Sequence, residues 1–597
     1  MKDTDALDTI LRYHAQTKHH PDRYAPSLGY MDWENQPVPF RWFNNTEKID
    51  LFHPDIRQTP GYDALFGSIP DPAPLDAVFI SALFYHSLAL AAWKQASGSR
   101  PWSLRINPSS GALYPTESYL ISPGIQGLYD TGGLFHYDPM HHRLERRCRI
   151  PDPAWADLSS HVNSSFLILG LSSIFWRESW KYGARALRYC HLDVGHAIGC
   201  ISFAARALGW KLSMLTHLSH EDMNHILGTG AMAHTTGDDH HKRSQMKLEH
   251  PEQEVPDALL LLTPDQRDAE SGLPKPTHGP DEGLCRALKA RFSGLTFEGA
   301  PNRLSREHHE WPLIDDAALA LARTESTPTF PDKDPANAPI GWPGHFDRPD
   351  PSGVIFRKRR SVSTMDPEGI LALDTFYTML ARTLPEQFMF DALVLPAQVS
   401  LVLFVHRVES LLPGLYILIR NRPGSEHLIK TLKTTYTLEP EPNCPEALEF
   451  YRLCARSQAE QPADVPDQWR DSILIDTSNP ETIQDLASRI SCHQDIAGLG
   501  AFSLGMIARF EPLLQSMGPL AYPMLFWECG LIGQVLYLEA TAAGFAGTGI
   551  GCFFDDMMHR LLGIHTISFQ SLYHFTVGRP IIDSRLKSLA PYHHLGR

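Results

Sequence analysis

The sequence predicts an α+β protein made of two tandem domains of one design. The chain has 597 residues, well beyond the roughly 100–200 of an ordinary domain. Helical patterns are interspersed with short, buried strand patterns in both halves of the chain. Two segments of the first half also match two segments of the second half in the same order. These observations together favour two copies of one fold.

The internal match is collinear. Residues 193–228 align with 528–563 without a gap, at an offset of 335. At an offset of 292, the pairs Phe84-Tyr85 and Leu88-Ala89 meet Phe376-Tyr377 and Leu380-Ala381. Chance can produce some matches of this kind, but the preserved order favours an internal duplication. The identical pairs at the offset of 335 are Gly195 and Gly530, Ala205 and Ala540, Ala207 and Ala542, Gly209 and Gly544, Met223 and Met558, Leu227 and Leu562, and Gly228 and Gly563.

The spacing of apolar residues predicts the individual elements. Helices are predicted over 74–95, 189–208, 366–382 and 526–543. Strands are predicted over 117–122, 257–262, 400–406, 414–420 and 572–577. Gly209 and Gly544 follow two of the helices, in the usual place of a C-terminal capping glycine. Small residues along these two helices would let them approach each other closely.

Proline content predicts where the domains end. Residues 251–352 carry many of the 47 prolines, and such a composition does not favour long regular elements. The opening segment is rich in proline, histidine and aromatics, and it predicts an irregular arm packed on the surface because Trp33, Phe40, Trp42 and Phe43 need burial. The predicted layout is an arm over 1–60, a first domain over 61–265, a proline-rich connector over 266–345 and a second domain over 346–597.

Composition excludes several classes of protein. The formal net charge is −15, which disfavours a general nucleic-acid binder. Nine cysteines without a CxxC pair predict reduced thiols in a cytoplasmic protein. The polar start MKDTDALDTI does not resemble a signal peptide, and no apolar run reaches the ~18 residues of a spanning helix. We therefore expect neither a nucleic-acid partner nor a membrane partner.

Two segments have the composition of ligand-binding loops. RKRRSVS, from Arg357 to Ser363, is the one run of four basic residues in an acidic protein, and it precedes the helix predicted to begin near Asp366. Guanidinium groups and a hydroxyl at a helix start suit a phosphate, although a solvated basic face is the plainer interpretation. RINPSSGALYPTE, from Arg105 to Glu117, contains a turn whose hydroxyls and amides could bond a planar ligand. Alone it is only a loop.

Two further segments flank the repeated helices. GFAGTGIGCFFDD, from Gly544 to Asp556, has glycines that let backbone approach a ligand, and its two aspartates suit the first turn of a helix. Its spacing is not a dinucleotide-binding fingerprint, so it could be a flexible connection. WKYGARALRYCHLDVGH, from Trp180 to His196, places Lys181 and Tyr182 ahead of a repeated helix, where either could transfer protons. The plainer alternative is an ordinary helix start with Arg185 and Arg188 solvated.

Familiar nucleotide and metal motifs are missing from the sequence. There is no GxxxxGK[ST] loop, and SHEDMNH (219–225) misses the HExxH spacing, so no metal site is predicted. The histidine-rich stretch 234–241 could bind a metal adventitiously and is more simply a surface insertion.

Together the four segments resemble the FMN-dependent nitroreductase superfamily, and within it the tandem SagB/ThcOx-type dehydrogenase branch. RRSVS matches the family's Arg-x-Ser phosphate motif, and NPSSGALYPTE matches its flavin-contacting turn. The pattern from Lys181 to His196 matches the branch's Lys-Tyr motif, and GTGIGCFF resembles the loop along the flavin ring. The resemblance implies two tandem nitroreductase-like domains, each with a central, mainly antiparallel sheet flanked by helices. Flavin sites in this family lie at a dimer interface.

The motifs are distributed unequally between the halves. The phosphate motif is present only in the second half, because Arg359, Arg360 and Ser361 align with Gly67, Ser68 and Ile69. The turn and the Lys-Tyr pair are present only in the first half. The resemblance therefore implies a single-chain pseudo-dimer with one FMN between its halves. Its implied FMN ligands are Arg359, Arg360, Ser361, Ser363 and Arg585 at the phosphate, and Pro108, Ser109, Ser110, Gly111, Gly549, Ile550, Gly551 and Cys552 at the ring.

The branch also implies a reaction. In SagB-type dehydrogenases a base removes a proton from an azoline ring while hydride passes to the flavin, which gives an azole. Lys181 or Tyr182 is the implied base or its partner. The substrate would be a small molecule or a modified peptide, with a peptide-modifying partner enzyme. The alternatives are an NAD(P)H-dependent reductase of nitro compounds or quinones, and a flavin-free scaffold protein.

Overall fold

The computed structural model describes residues 3–67, 70–230, 250–265, 282–322, 348–456 and 480–596. Its helices are α1 (Asp3–Gln16), α2 (Ala77–Ser87), α3 (Asp152–Ser159), α4 (Phe175–Tyr182), α5 (Ala186–Ala207), α6 (His220–Leu227), α7 (Glu282–Phe292), α8 (Pro312–Ala322), α9 (Ser352–Lys358), α10 (Leu373–Ala381), α11 (Arg422–Thr435), α12 (Pro480–Ile490), α13 (Ile496–Leu499), α14 (Glu511–Met517), α15 (Ala521–Ala542) and α16 (Asp555–Leu561). Within this part of the chain, no helix combines the length and apolar character needed to cross a membrane.

The strands are β1 (Phe43–Asn44), β2 (Lys48–Asp50), β3 (Leu90–Ala96), β4 (Trp102–Arg105), β5 (Thr116–Ser122), β6 (Gly132–Asp138), β7 (Arg143–Ile150), β8 (Leu167–Ser173), β9 (Trp210–Met214), β10 (Val255–Pro264), β11 (Ala300–Pro301), β12 (Val399–Val405), β13 (Gly414–Ile419), β14 (Tyr436–Pro440), β15 (Glu449–Ala455), β16 (Phe502–Arg509), β17 (Ala546–Ile550), β18 (Phe569–Gly578) and β19 (Leu586–Leu589). All five predicted strands are present, as β5, β10, β12, β13 and β18.

Two seven-stranded antiparallel sheets organise the molecule. Their orders are β2-β7-β6-β5-β8-β10-β9 and β14-β15-β13-β12-β16-β18-β17. Six strands of each sheet follow the same order along the chain. Only the edge strands differ, because β2 precedes the other strands of its sheet in the chain and β14 lies between β13 and β15. Strands such as β12 are buried along their whole length, so β12 is apolar except for Ser400 and does not alternate between apolar and polar residues. The two sheets confirm the predicted α+β fold and its duplicated design.

The repeated helices pack against each other at the centre. α5 and α15 both have 22 residues, and their bounds differ by the offset of 335. Their closest approach lies at the equivalent glycines: a Cβ on Gly195 would lie 2.3 Å from the Trp527 carbonyl oxygen, and one on Gly530 would lie 2.2 Å from that of Leu192. The glycines after the helices, Gly209 and Gly544, have φ of +72° and +75°, as a C-terminal cap requires. Each prediction about these helices is confirmed.

The chain termini cross between the halves. In the N-terminal segment, Lys18 Nζ lies 2.9 Å from Asp556 Oδ1, and the His19 amide donates to Asp555 Oδ2 at 3.0 Å. At the other end, β19 pairs with β3 of the first half. One continuous apolar cluster contains residues from Ile10 to Val577. Each half is therefore completed by a segment of the other.

Two predicted helices are wrong in extent. The prediction over 74–95 covers α2, which ends at Ser87, and also β3, which begins at Leu90. An apolar run fits either structure, and the strand forms here because its partner β19 comes from the far end of the chain. The helix predicted over 366–382 begins only at Leu373, because Met365 and Leu371 form isolated bridges with other segments.

The predicted irregular regions contain regular elements. The arm over 1–60 includes the helix α1, and its strand β2 joins the first sheet. Phe40 and Phe43 are buried as expected, but the Trp33 side chain is 67% exposed and packs edge-on to Trp180. Within the connector range, α7 and α8 each have eleven residues. Helix α8 tolerates Pro312 because that residue is its first, where the missing N–H has no helical partner.

Candidate functional site

The basic segment RKRRSVS closes a helix and does not precede one. Arg357 and Lys358 are the last residues of α9, and the backbone is extended from Arg359 onward. The helix expected after the segment begins at Leu373, so the prediction of a phosphate-binding helix start is wrong. Arg357 instead donates to the Leu90 carbonyl at 2.6 Å, beside the strand β3 of the first half.

The arginines of this segment form a positive cluster with no carboxylate partner in the described part of the chain. Arg359 is buried and donates to the carbonyls of Arg105 and Ile106 at 3.0 and 3.1 Å. Arg360 donates to the carbonyls of Arg357 and Arg359 at 2.7 and 2.6 Å. Burial and the charge of Arg359 lower the pKa of Arg360 to about 10. A bound anion would offset this repulsion, so the cluster fits a phosphate group.

Ser361 connects the basic segment to the glycine-rich loop. Its Oγ lies 2.8 Å from Tyr537 Oη, and the Gly549 amide donates to the same Tyr537 oxygen at 2.9 Å. The next residue, Val362, donates its amide to Thr548 Oγ1 at 3.1 Å. Two motifs 186 residues apart therefore lie side by side.

The predicted turn over 108–112 is strained. Gly111 has φ of +64°, and the non-glycine residues Ala112 and Tyr114 have φ of +57° and +52°. The turn is held because Tyr114 donates its amide to Ser109 Oγ at 2.8 Å and Ser110 donates its amide to Asp193 Oδ1 at 3.2 Å. Positive φ at such residues costs free energy and is concentrated at ligand sites.

Lys181 and Tyr182 lie directly against this turn. They are the last residues of α4, ahead of α5 as predicted. A Cβ on Gly111 would lie 2.8 Å from Tyr182 Oη and 3.0 Å from Lys181 Nζ. The Tyr182 ring lies 4.6 Å from that of Tyr189. Tyr189 in turn blocks any side chain at Gly551, where a Cβ would lie 2.1 Å from its ring.

The four predicted segments thus form a closed series of contacts from both halves. Ser361, Ser363, Gly111 and Lys181 are exposed, and most of the other members are partly exposed. Pro108 and Ile550 are buried beneath them. One predicted ligand is turned elsewhere: Arg585 is exposed and pairs with Asp583 at 2.8 Å.

The paired sheets have a counterpart among solved structures. A crystal structure from Anabaena variabilis, provisionally described as a nitroreductase, superposes on 96% of this chain and 99% of its own with a TM-score of 0.60. The chain has a nitroreductase-like fold. The sequence identity of that pair is 20%, so the likeness establishes the fold alone.

Other comparisons cover less of the chain. A protein of Methanocaldococcus jannaschii with a provisional nitroreductase name is 30% identical over 109 residues, which are 17% of this chain. The match spans 52% of that relative, so the chain covers about half of the relative's length. An E. coli microcin synthetase complex with truncated pro-MccB17 bound matches 44% of this chain at 17% identity and a TM-score of 0.25. No family model matches the chain.

Beneath the turn of this nitroreductase-like fold lies a pair of buried carboxyl groups that the sequence analysis did not select. Ser109 Oγ lies 3.4 Å from Glu178 Oε1, and Asp193 accepts from Ser110. Burial raises the pKa of Asp193, and burial together with the Asp193 charge raises that of Glu178. Coupled acids of this kind concentrate at functional sites. In the sequence, the signals for this pair are that Glu178 lies three residues before Lys181 and that Asp193 lies in the repeated helix.

A buried ion triad fastens the glycine-rich loop to the first half. Arg185 and Arg188 donate to the two oxygens of Asp555 at 2.9 and 2.8 Å, and all three side chains are almost completely buried. The interpretation of these arginines as solvated is therefore wrong. It failed because their partner lies 370 residues away along the chain. As predicted, Asp555 and Asp556 occupy the first turn of α16.

Cys552 has an environment that favours its thiolate. Hydrogen bonds with Cys492 and His19 and the charge of Arg185 lower the pKa of the Cys552 thiol. The imidazole of His19 is oriented by the Ala25 amide, which donates to Nδ1 at 2.9 Å. All nine cysteines are free thiols, as the sequence predicts.

The described residues contain one group of possible metal ligands, which lies outside the four segments. His250, Glu252 and His308 have ligand atoms within 4.8 Å of one another. Glu252 also accepts the amides of Leu304 and Ser305 at 2.8–2.9 Å, so its carboxylate already fastens that segment. The histidine-rich stretch 234–241 lies outside the described residues, as do Ser68 and Ile69 of the degenerate phosphate position.

Proposed function

We propose that the chain is an FMN-dependent oxidoreductase with one flavin site between its halves. The observation that supports this proposal is that four segments contact one another beside an arginine cluster, which has no acidic partner among the described residues. Two segments come from each half, so neither half holds the complete set. A flavin would accept hydride from a substrate and pass it on, and the protein would position both molecules.

The second half would hold the phosphate. Arg360 and Ser361 border the exposed side of the basic cluster, while buried Arg359 braces the backbone of Arg105 and Ile106. Bidentate guanidinium groups suit a phosphate monoester, and an added dianion would offset the charge that lowers the pKa of Arg360. Ser363 is the outer member of this set. Arg585 would join only by leaving Asp583.

The first half would border the ring. The strained turn Ser109–Gly111 presents partly exposed backbone next to Lys181, and Gly549, Gly551 and Cys552 approach from the other half. Gly551 has no room for a side chain beside Tyr189, so close backbone approach is built into the loop. Backbone amides at such positions stabilise negative charge. These contacts fit a planar, electron-accepting ring.

Lys181 is the more accessible of the two candidates for a role in proton transfer. Burial and the charge of Glu178 raise the pKa of Tyr182 far above its ordinary value, so its hydroxyl stays protonated near neutral pH and does not act as a base there. The Lys181 side chain is exposed at the turn, within reach of a substrate. By resemblance we assign the reaction to the SagB type, in which the azoline of a modified peptide becomes an azole and a peptide-modifying enzyme supplies the substrate.

The first experiment is the flavin content of the purified full-length protein. We expect a yellow protein that releases FMN on denaturation, with one FMN per chain. A content of two would contradict the single site, and a colourless protein that does not take up added FMN would support the scaffold alternative. Rapid bleaching by NAD(P)H without peptide would favour the nitro- or quinone-reductase alternative.

A matched pair of variants locates the phosphate. Arg360→Ala should lower the affinity for FMN at least tenfold, because a charge-assisted contact is lost. Arg422→Ala removes an exposed arginine that pairs with Glu449 on another surface and should leave affinity unchanged. Equal affinity in both variants would place the phosphate elsewhere.

A further inference from the structure

The duplication defines a counterpart to the glycine-rich loop and the ion triad. At the offset of 335, which relates the bounds of α5 and α15, the loop Gly549–Phe553 corresponds to Met214–Leu218. The same offset places Leu520 and Pro523 on Arg185 and Arg188, and His220 on Asp555. The buried ion triad of one side is thus replaced by two apolar residues and a histidine. Nothing in this set could neutralise a phosphate.

A cavity of about 250 Å³ lies at this counterpart position. Its walls contain Met214, Leu218 and His220 from the first half and Leu520 and Pro523 from the second half. The apolar part of the wall includes two large aromatic rings and three methionines, which adapt readily to a flat ligand. These residues are Phe175, Trp527, Met214, Met223 and Met524. An apolar cavity of ~150 Å³ holds one benzene molecule, so this one has room for a fused bicyclic ring.

The wall also contains polar groups that lack a partner. His191 is buried, and neither ring nitrogen has a hydrogen bond in the described residues. Asp257 Oδ1 lies 3.6 Å from His191 Nδ1, beyond hydrogen-bond distance. Trp527 Nε1 is also buried without an acceptor. Orphaned donors of this kind are costly, and a ligand can supply what they lack.

Charged groups around the cavity already have partners. Lys289 Nζ lies 2.8 Å from Asp222 Oδ2, and Asp257 Oδ2 accepts from Ser173 Oγ at 2.7 Å. Burial, with a contribution from His191, lowers the pKa of His220 to about 4, so His220 is neutral near pH 7. A ligand with a net charge would find no free counter-charge among these groups.

We propose that this cavity binds a neutral, fused aromatic molecule that carries a hydroxyl group. The rings occupy the space between Phe175, Trp527 and the methionines, and the hydroxyl pairs with His191 or Trp527. The cavity lies where the first site has its glycine-rich loop and ion triad, and only the first site keeps the triad. This inference does not depend on the chemistry proposed for the first site.

The test measures binding of 2-naphthol to the full-length protein by calorimetry. We expect saturable binding with one site per chain. 2-Methylnaphthalene, which lacks the hydroxyl, should bind at least tenfold more weakly, and 2-naphthalenesulfonate should not compete. Absence of saturable 2-naphthol binding up to 1 mM, or equal binding of the sulfonate, would overturn the proposal.

Variants tie the binding to this cavity. Ala318→Phe and Met223→Trp each fill part of the space and should weaken 2-naphthol binding at least tenfold, whereas Val78→Phe on an exposed surface should not. His191→Phe keeps the ring volume and should reduce the preference for 2-naphthol over 2-methylnaphthalene to less than threefold. Circular dichroism verifies folding, and at least one cavity variant that is folded must lose binding for the assignment to stand.

Discussion

The position of Asp193 in the fold determines the pH at which its carboxyl group loses its proton. Its carboxyl group is buried beneath the strained turn and shares that space with Glu178. Burial raises the pKa of Asp193 from 3.8 to about 7. The folded protein therefore keeps a proton that the unfolded chain releases at mildly acidic pH. The stability contributed by this proton is fully present below about pH 4 and is lost as the pH rises through about 7.

Replacement of Asp193 by asparagine tests this linkage. Asp193→Asn removes the titration and keeps an oxygen for the Ser110 amide, so the variant should gain stability relative to the wild type between pH 5 and pH 8. We expect the difference in unfolding midpoint to change in favour of the variant by about 2 °C or more. Asp222→Asn is the control: the pKa of Asp222 is lowered, chiefly through the hydrogen bond with Lys289, so its effect should not vary over this range. A constant difference for Asp193→Asn would contradict the raised pKa.

Lys181→Ala separates binding from chemistry at the proposed site. The lysine side chain is exposed beside the turn and makes no contact that the fold requires, so we expect FMN to remain bound. Turnover of an azoline peptide should fall more than tenfold, because general base catalysis contributes 10²–10⁴-fold. Lys433→Ala, on an exposed face of α11, is the control. Unchanged turnover would remove Lys181 from the mechanism.

Local sequence indicated which segments lie together in the proposed site, but not how their charged residues pair. Lys181, Gly111 and Ser361 were found because their segments have the composition of ligand-binding loops. Asp555 was assigned only to a helix start, because its partners Arg185 and Arg188 come from the other half. A charge that looks solvated in sequence can be buried when the fold supplies its counter-ion, and pairing over such a distance leaves no local pattern.

At the level of elements, the central helix pair was predicted most accurately. Glycine and alanine at equal spacing in α5 and α15 reflect one physical need, the close approach of two helix backbones. The failures have a common cause as well. The strand β3 and the bridges at Met365 and Leu371 depend on partners distant in sequence, and an apolar run alone does not distinguish a strand from a helix.

The crossing of these helices can be tested with two glycines. In Gly530→Ala, the new Cβ would meet backbone atoms, 2.2 Å from Leu192 O and 2.9 Å from Gly195 Cα. We expect a loss of about 1–3 kcal/mol in the free energy of unfolding, measured by denaturant titration. In the control Gly61→Ala, outside these helices, the new Cβ would meet nothing closer than the Arg348 carbonyl oxygen at 3.9 Å, so this variant should be nearly neutral. Equal losses in the two variants would mean that the glycines do not set the helix distance.

The whole molecule is a pair of exchanged halves. The N-terminal segment reaches α16 of the second half, and the C-terminal strand β19 extends a small sheet of the first half. This exchange explains why the two copies could diverge. Once both copies are joined in one chain and one core, the proposed single flavin site needs one set of ligand residues. The equivalent residues of the other position are then free to change.

Tyr592 carries the C-terminal exchange. Its ring is buried in the first half, 4.6 Å from the ring of His53 and stacked on Tyr85, and its hydroxyl lies 3.3 Å from the Leu90 amide nitrogen. Tyr592→Ala should lower the free energy of unfolding by about 3–5 kcal/mol, as loss of a large buried ring does.

Amide hydrogen exchange would locate the part of the structure that Tyr592→Ala destabilises. The amides of β3 should exchange faster in this variant. The Leu90–Tyr592 contact joins residues that are 502 positions apart in the chain, so this effect would be a long-range one. Tyr592→Phe keeps the ring and should cost only about 1 kcal/mol. If Tyr592→Ala leaves both the midpoint and the exchange of β3 unchanged, the C-terminal segment only rests on the first half. If β3 is released, the first half is incomplete without residues encoded at the end of the second, and duplication has made the two halves mutually dependent.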